Sequence, residues 1–327
     1  MKYSAYYVQE NDGDFSASIV ELELETPDEG FVQIKVLYSS LNYKDALSAS
    51  GNKGVTKNYP FVPGIDAAGI VTNGNSSQFK EGDEVIVTGF DMGMNTPGGF
   101  GEYINVPAKW VIKRPNNLSC LEAMSFGTAG MTAAASVMKV EESSHESDLP
   151  VLISGATGGV GSISTMLMSK IGKEVTAITG KSSSVDFLKL IGASNIIMRK
   201  EYLETPTKAL ERPLFSCAID TVGGDILSKI LTQVSQRGVI ACCGNVAGIE
   251  IKTTVFPFIL RGISLCGIDS AESSIDFKQT IWNKLADEWK LDLSSMVKVV
   301  SKDNLKPEID FILKGDQRGR VVLKHGE

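Results

Sequence analysis

Val151-Leu152-Ile153-Ser154-Gly155-Ala156-Thr157-Gly158-Gly159-Val160-Gly161-Ser162 is the stretch that decides the fold of this chain. Its apolar start is typical of a buried strand, its glycines of a tight turn, and residues 163–171 continue as an amphipathic helix. The spacing A-x-x-G-x-G is a variant of the dinucleotide-binding fingerprint, in which free N–H groups at a helix N-terminus attract a pyrophosphate. Similar turns also occur without a ligand. In this context we predict pyrophosphate binding by Ala156, Thr157, Gly158, Gly159, Val160 and Gly161.

Strands and helices alternate in the chain that follows this turn. Apolar runs predict strands at 151–154, 175–179, 195–198, 216–220, 238–243 and 263–267. Helices are predicted between them at 160–171, 184–191 and 225–235. Six strands with helical connections form a doubly wound parallel sheet of the Rossmann type.

The end of the second predicted strand indicates which cofactor is bound. A carboxylate there would bind the ribose 2′-hydroxyl of NAD, but no acidic residue occurs before Asp186. Gly180, Lys181 and Ser182 follow the strand instead, and Arg199 follows the third strand. A cation and hydroxyl groups suit the 2′-phosphate of NADPH. The alternative is a solvated loop lysine, but at this strand end we predict NADPH.

Two more loops follow the fourth and fifth strands of the predicted sheet. They are 220–224, and 244–248 with Gly244 and Asn245 at its start. Ligands of such sheets bind at the carboxyl ends of the strands, so these loops are expected to line the cofactor crevice. Ordinary turn chemistry is the alternative for both.

Composition and charge limit the possible partners. A chain of 327 residues with 43% hydrophobic and 22% charged residues suggests two globular domains. A formal net charge of −7 argues against nucleic acid or an anionic membrane as the main partner. There is no leader pattern and no long apolar run, and an odd count of five cysteines fits a reducing compartment. We therefore expect a cytoplasmic protein. Cys242 and Cys243 are expected to serve as packing residues, with a redox role as the alternative.

The chain on either side of the alternating region has a different pattern. Residues 1–120 contain short alternating strands separated by turns, which indicates a small barrel-like domain. Residues 122–140 read as a helix that is broken or tightly packed at Gly127 and Gly130. A further helix is expected at 275–291 and a last strand at 320–324.

Together these segments resemble the medium-chain dehydrogenase/reductase superfamily, in its zinc-free quinone oxidoreductase branch and most closely the YhdH/YhfP group. The resemblance covers essentially the whole chain. The segments that carry it are Leu41-Asn42-Tyr43-Lys44-Asp45, Pro63-Gly64-Ile65-Asp66, Gly127-Thr128-Ala129-Gly130, the 156–161 loop, Asp220-Thr221-Val222-Gly223-Gly224, Pro257-Phe258-Ile259-Leu260-Arg261-Gly262 and Gly267-Ile268-Asp269-Ser270.

The resemblance implies an α/β fold, with a GroES-like β-rich substrate domain and a Rossmann doubly wound parallel-sheet cofactor domain. The substrate domain is expected at 1–121 with 292–327, and the NADPH-binding domain at 122–291. Asp45 and Gly64-Ile65-Asp66 stand where zinc enzymes of the superfamily have a cysteine and a Gly-His-Glu segment. His145 and His325 are the only histidines and neither has ligand spacing to a cysteine, so no metal is expected.

The implied activity is hydride transfer from NADPH to the C=C bond of an α,β-unsaturated thioester or carbonyl, with acrylyl-CoA as the family's substrate. Tyr43, Asn42 and Asp45 are the catalytic candidates because they occupy the position of the zinc centre. Tyr43 is also expected to bind the cofactor, by orienting the nicotinamide or the substrate carbonyl, and it could donate a proton. Asn42 as a mere helix cap and Asp45 as an exposed first-turn residue are the alternatives. Thr128 is expected beside the nicotinamide, and Ser270 among the cofactor contacts. Arg318 or Arg320 is expected to meet a phosphate, unless it is a solvated arginine.

Other activities remain open on the same fold, because a scaffold does not fix a substrate. An NADPH:quinone or general enone reductase is the second hypothesis. A weakly catalytic NADPH-binding sensor, or an RNA binder, is the third, although no basic aromatic-rich patch supports RNA binding. The resemblance also suggests a homodimer, in which the last strand of the sheet, 264–268, pairs across a two-fold axis.

Overall fold

The computed structural model describes residues 1–75, 78–142 and 147–326. The chain forms two compact units, Met1–Met131 with Ser270–Glu327, and Thr132–Asp269. The sequence prediction put the boundaries at 121/122 and 291/292.

The first unit begins with seven strands and one short helix. They are β1 (Lys2–Asn11), β2 (Asp14–Glu23), β3 (Phe31–Leu41), α1 (Tyr43–Ala49), β4 (Asp66–Gly74), β5 (Glu84–Thr88), β6 (Tyr103–Pro107) and β7 (Val111–Lys113). Helix α2 (Cys120–Glu141) follows, and its backbone is non-helical at Gly127. The predicted break at Gly127 is therefore confirmed.

The second unit alternates strands with helices. They are β8 (Val151–Ile153), α3 (Gly159–Lys170), β9 (Val175–Thr179), α4 (Val185–Leu190), β10 (Asn195–Met198), α5 (Arg199–Glu204), β11 (Ala218–Asp220), α6 (Gly224–Gln233), β12 (Val239–Cys242), α7 (Phe256–Arg261) and β13 (Ser264–Gly267). The strands form one parallel sheet in the order β10-β9-β8-β11-β12-β13. The predicted six-stranded doubly wound sheet is confirmed.

The chain then returns to the first unit with α8 (Ile275–Ala286), β14 (Val297–Val300), α9 (Leu305–Leu313) and β15 (Arg320–Lys324). Strand β15 pairs antiparallel with β3, which places the end of the chain beside its beginning. The larger sheet of this unit has the order β14-β15-β3-β4-β5-β7, and β6 pairs with β3. Apolar side chains of β3, β4 and β5 form a buried core against this sheet.

Helix α8 belongs to the first unit, although the sequence prediction assigned residues up to 291 to the cofactor domain. Its Lys278 is fully buried, and its ammonium group donates to the carbonyls of Thr88 at 2.6 Å and Ala271 at 2.7 Å. The same group lies 3.3 Å from the ring centroid of Phe90. These contacts tie α8 to the end of β5. Within the described ranges no helix is long and apolar enough to cross a membrane.

Candidate active site

The predicted phosphate loop joins β8 to α3 in the second unit. Gly155 has φ +58°, and Gly158 is the residue that precedes the helix. A Cβ atom added at Gly161 would collide with the carbonyl oxygen of Gly155, so the first turn of α3 approaches the loop more closely than another residue would allow. The first N–H groups of a helix have no intrahelical partner. This loop therefore fits a pyrophosphate, as the sequence predicts.

The predicted 2′-phosphate residues lie at the ends of two neighbouring strands. Thr179 of β9 and Met198 of β10 are partners in the parallel register, so Gly180 and Arg199 follow side by side. A Cβ atom added at Gly180 would lie 2.9 Å from the guanidinium carbon of Arg199. The backbone N–H of Lys181 donates to the hydroxyl of Thr179 at 3.0 Å. The structure thus brings together Gly180, Lys181 and the guanidinium group of Arg199.

An open cavity of about 530 Å³ lies at the ends of β12 and β13. Its lining includes the predicted residues Gly244 and Asn245, together with Cys242 and Cys243. Burial, and then the charge of Asp220, raise the pKa of both thiols, that of Cys243 to about 12. The thiol groups therefore stay protonated at neutral pH and are poor nucleophiles. Ser270, which is buried, and Arg318, which is exposed, lie in the first unit.

A second polar cluster lies in the first unit at the start of α1. Asn42 is the residue that caps this helix, and the carboxylate of Asp45 accepts its backbone N–H at 2.8 Å. The other carboxylate oxygen of Asp45 accepts the N–H of Ile65, also at 2.8 Å. Asp45 has no exposed surface. The alternative that Asp45 is an exposed first-turn residue is therefore wrong. Asn42 stands at the N-cap position of α1, but its side-chain amide also contacts Asp45, Asp66 and Arg320, so it is not a mere helix cap.

Asp66, the first residue of β4, joins this cluster to α2. One of its carboxylate oxygens accepts from the side-chain amide of Asn42 and from the backbone N–H of Thr128, each at 2.8 Å. The other accepts the hydroxyl proton of Thr128 at 2.5 Å. Sequence reasoning did not select Asp66 as a site residue, although it noted the segment that contains it. The two contacts with Asp66 place Thr128 within the polar cluster.

Arg320, the first residue of β15, supplies the cation of the cluster. It is buried, and its guanidinium group donates to the side-chain oxygen of Asn42 at 3.2 Å and to the carbonyls of Leu41 at 3.3 Å and Ser125 at 3.2 Å. Burial lowers the pKa of Arg320, while the neighbouring carboxylates of Asp66 and Asp45 oppose that change. The expectation that Arg320 is a phosphate contact or a solvated arginine is therefore wrong, because the pairing of β15 with β3 brings its side chain into the buried cluster.

The ionisation of Asp45 reflects its surroundings. Burial, and next the charge of Asp66, raise the pKa of Asp45 to about 7, although the N–H groups of Asn42 and Ile65 favour its ionised form. A carboxyl group with such a pKa gains and loses a proton near neutral pH. A perturbed, buried carboxyl group of this kind is typical of functional sites.

The three predicted catalytic residues differ in access. Asp45 is enclosed, and Asn42, which is 8% exposed, uses its amide group to bridge Asp45, Asp66 and Arg320. Tyr43, the first residue of α1, is 40% exposed, and no hydrogen bond of its hydroxyl occurs among the described residues. Helix α1 therefore carries an exposed phenol group at the residue that follows Asn42, a member of the buried ionic cluster.

The residues do not fit a metal ion. In the ranges 1–75, 78–142 and 147–326, no group of three or more His, Cys, Asp or Glu side chains could hold one. Both carboxylates of the cluster are instead occupied by N–H and O–H donors. His325 is buried, with its Nε2 atom 2.8 Å from the carbonyl oxygen of Gly99, and burial lowers its pKa to about 4. His145 lies outside the described residues.

Two protein-family models match this chain. The alcohol dehydrogenase GroES-like domain matches residues 28–116, and the zinc-binding dehydrogenase model matches residues 159–287. The second description names zinc, for which the part of the chain that is described supplies no set of three ligands.

Curated relatives and solved structures resemble the chain over nearly its full length. The putative quinone oxidoreductase YhfP of Bacillus subtilis is 38% identical over 98% of both chains. Acrylyl-CoA reductase AcuI of Ruegeria pomeroyi is 37% identical over 96% of both. The solved YhfP structure, with NAD bound, has a TM-score of 0.95 and covers 99% of both chains. The yhdH oxidoreductase of Salmonella enterica, in complex with NADP, has a TM-score of 0.93 at 35% identity and covers 99% of this chain and 100% of its own.

Proposed function

The chain belongs to the medium-chain dehydrogenase/reductase family, in its quinone oxidoreductase-like branch, and is an oxidoreductase; on that premise we propose that it uses NADPH to reduce the C=C bond of acrylyl-CoA. The 37% identity to an acrylyl-CoA reductase supports the substrate. The reactive centre of that substrate is a C=C bond conjugated to a thioester carbonyl, so no alkoxide has to be stabilised by a Lewis acid.

The position of Arg199 against Gly180 is the observation that carries the cofactor assignment. The loop 156–161 would hold the pyrophosphate, and Lys181, Ser182 and Arg199 would hold the 2′-phosphate. A single Lys would be weak support, but a guanidinium group beside it offers bidentate binding to a phosphate. When bound, the reduced nicotinamide supplies a hydride. The relative with NAD bound makes the choice between the two cofactors worth measuring.

Tyr43 is the residue that we assign to the substrate. As the β-carbon gains a hydride, the electrons of the C=C bond move toward the carbonyl oxygen, and the α-carbon then takes a proton. The exposed hydroxyl of Tyr43 donates that proton, and solvent returns it to the phenol.

The buried cluster positions Tyr43 and does not itself meet the substrate. Asn42 and Asp45 fix the first turn of α1, at which Tyr43 is the first residue. Asp66, Thr128 and Arg320 hold Asn42 in place from three other segments of the chain. Fixed neighbours keep a reacting group in its productive geometry without reorganisation during the reaction.

The test follows nicotinamide absorbance with purified protein, first with NADPH and then with NADH, on addition of acrylyl-CoA or a quinone. We expect turnover with acrylyl-CoA and NADPH. Tyr43→Phe is expected to lower kcat about 100-fold, the usual scale for loss of a general acid, while the KM for NADPH is unchanged. Tyr7→Phe, at a partly buried tyrosine of β1, is the matched control and should retain full activity.

Two results would redirect the assignment. Turnover with quinone alone would favour the second candidate, an NADPH:quinone reductase, which the similarity to a putative quinone oxidoreductase supports. Tight NADPH binding without turnover of either substrate would contradict both and favour an NADPH-binding sensor.

A further inference from the structure

Lys229 of α6 is a buried lysine that the proposed reaction does not use. It is 1% exposed, and its ammonium group donates to the carbonyl of Tyr202 at 2.5 Å, the carbonyl of Thr205 at 2.9 Å and the hydroxyl of Thr205 at 2.6 Å. These three acceptors match the three N–H donors of an ammonium group. A buried charge is costly unless all its donors are satisfied. The three hydrogen bonds therefore fix where the ammonium group of Lys229 lies relative to Tyr202 and Thr205.

The acceptors of Lys229 lie at the carboxyl end of α5. This helix has six residues, Arg199–Glu204, and a helix so short is not stable without tertiary contacts. Its last carbonyl groups have no intrahelical partners, and a cation there also complements the helix dipole. Lys229 therefore fixes the end of α5 on the surface of α6.

Tyr202 gives α5 a second attachment to α6. Its hydroxyl donates to the side-chain oxygen of Gln233 at 2.6 Å, and the amide of Gln233 donates to Glu211 at 2.8 Å. Lys229 and Gln233 are four residues apart and so lie on the same face of α6. Two buried polar side chains of one helix thus hold a single turn of another.

Arg199 is the first residue of α5, the helix that these contacts hold in place. Its exposed guanidinium group lies against Gly180, at the strand end where the proposed function places the 2′-phosphate of NADPH. Resting on that proposed function, we propose that Lys229 is a positioning residue for cofactor selection: it fixes α5, and thereby holds Arg199 where it meets the 2′-phosphate. The lysine acts through Arg199 and contacts no ligand itself.

The test compares two ligands that differ only in the 2′-phosphate, adenosine 2′,5′-bisphosphate and AMP, by calorimetric titration of the full chain. Lys229→Met keeps the length of the side chain and removes the ammonium group. We expect it to weaken binding of the bisphosphate about tenfold, the low end for a lost charge-assisted hydrogen bond, and to leave AMP binding unchanged. Lys252→Met, at an exposed lysine of the same unit, is the control and should change neither affinity.

A double substitution separates positioning from a general structural effect. Arg199→Met should lose the preference for the bisphosphate, and Lys229→Met added to it should cause no further loss. Equal weakening of both ligands by Lys229→Met, or additive losses in the double variant, would overturn the proposal. If Arg199→Met loses the preference but Lys229→Met keeps it, only the role of Lys229 is refuted. If Arg199→Met keeps the preference, Arg199 does not hold the 2′-phosphate and the role of Lys229 falls with it, whereas a wild-type protein without the preference would contradict the NADPH assignment.

Hydrogen exchange supplies a readout without any ligand. Amides of residues 199–205 should exchange faster in Lys229→Met than in Lys252→Met, while those of α3 stay unchanged. Thr205→Val removes one of the three acceptors and serves if Lys229→Met does not fold. Thr205→Val should show faster exchange at residues 199–205 and weaker bisphosphate binding, both to a smaller extent than Lys229→Met. Unchanged exchange and affinities in Thr205→Val would contradict the proposal.

Discussion

The carboxyl groups of Asp45 and Asp66 share one buried cluster with a single guanidinium group, that of Arg320. Two carboxylates and one cation leave an excess negative charge in a low-dielectric site. Protonation of one carboxyl group relieves that excess, which is why burial and Asp66 raise the pKa of Asp45 to about 7. The cluster therefore exchanges a proton in the physiological pH range.

The raised pKa of Asp45 predicts a pH dependence of stability. Between the ordinary value of 3.8 and about 7, the native protein keeps a proton that the unfolded chain releases. The contribution of Asp45 to the free energy of unfolding therefore falls as pH rises through this window, by at most about 1.4 kcal/mol per pH unit. Asp45→Asn removes this contribution. Between pH 5 and pH 8 the melting temperature should therefore fall less in Asp45→Asn than in the wild-type protein. Each kcal/mol of lost stability corresponds to about 2–4 °C.

Only the change with pH is diagnostic in this experiment. Asn has one acceptor oxygen where Asp45 accepts two backbone N–H groups, so Asp45→Asn is expected to be less stable at every pH. Asp14→Asn, at an exposed aspartate of β2, should keep the wild-type pH dependence. Parallel curves for wild type and Asp45→Asn would show that Asp45 is ionised throughout.

At the scale of the element, the break in α2 is what allows the cluster to form. Gly127 has φ +53° and ψ −157°, so the helix axis is interrupted one residue before Thr128. A Cβ atom added at Gly127 would collide with the hydroxyl of Ser40 and would lie 2.5 Å from a carboxylate oxygen of Asp66. The backbone of Gly127 thus passes close to Asp66, and Thr128 donates twice to its carboxylate.

Gly127→Ala should therefore be strongly destabilising. It adds the steric cost of an Ala residue at positive φ, about 1–2 kcal/mol, to a collision in a packed site, typically another 1–3 kcal/mol. Gly82→Ala is the matched control, because Gly82 also has positive φ but nothing lies near an added Cβ atom. Thermal unfolding should show the larger loss in Gly127→Ala, together with reduced turnover. Equal losses in both variants would mean that only backbone conformation matters at Gly127.

Local patterns predict the elements of this protein better than they predict its buried charges. Strand β9 is a run of β-branched and small residues that ends in glycine, and its predicted range, 175–179, is confirmed. Residues 199–204 and 256–261 were not predicted as helices, because each is only six residues long and depends on tertiary contacts. Lys229 and Lys278 are buried, a state that no local pattern indicates.

The contacts of the candidate site are likewise beyond what local sequence patterns predict, because they join distant parts of the chain. The segment 41–45 was selected from its resemblance to a family, whereas the contacts of Asp66 and Arg320 with Asn42 join residues 24 and 278 positions apart. The pairing of Val321 with Leu41 brings Arg320 to the start of α1. Such contacts follow from sheet register, which a local sequence pattern does not specify.

The parallel sheet of the second unit ends in β13, whose outer edge has no partner strand in the described chain. An unpaired edge strand can pair with a second copy of itself across a two-fold axis. Just before β13, the stretch 246–260 exposes several large apolar side chains, among them Ile259 at 69% and Leu260 at 61% of their surface. An exposed apolar stretch beside an open edge is typical of an interface. These features support the predicted homodimer.

We therefore predict that Ile259→Asp combined with Leu260→Asp converts a dimer to a monomer. Each copy would lose the burial of two apolar side chains, four per dimer, worth about 1.5–3 kcal/mol apiece, so the dissociation constant should rise at least about ten-thousandfold. Leu190→Asp is the control, since Leu190 is equally exposed but belongs to α4, between β9 and β10 at the other edge of the sheet. Sedimentation equilibrium should show dimers for wild type and Leu190→Asp. A monomeric wild-type protein would contradict the homodimer, and dimers of the double variant would place the interface elsewhere.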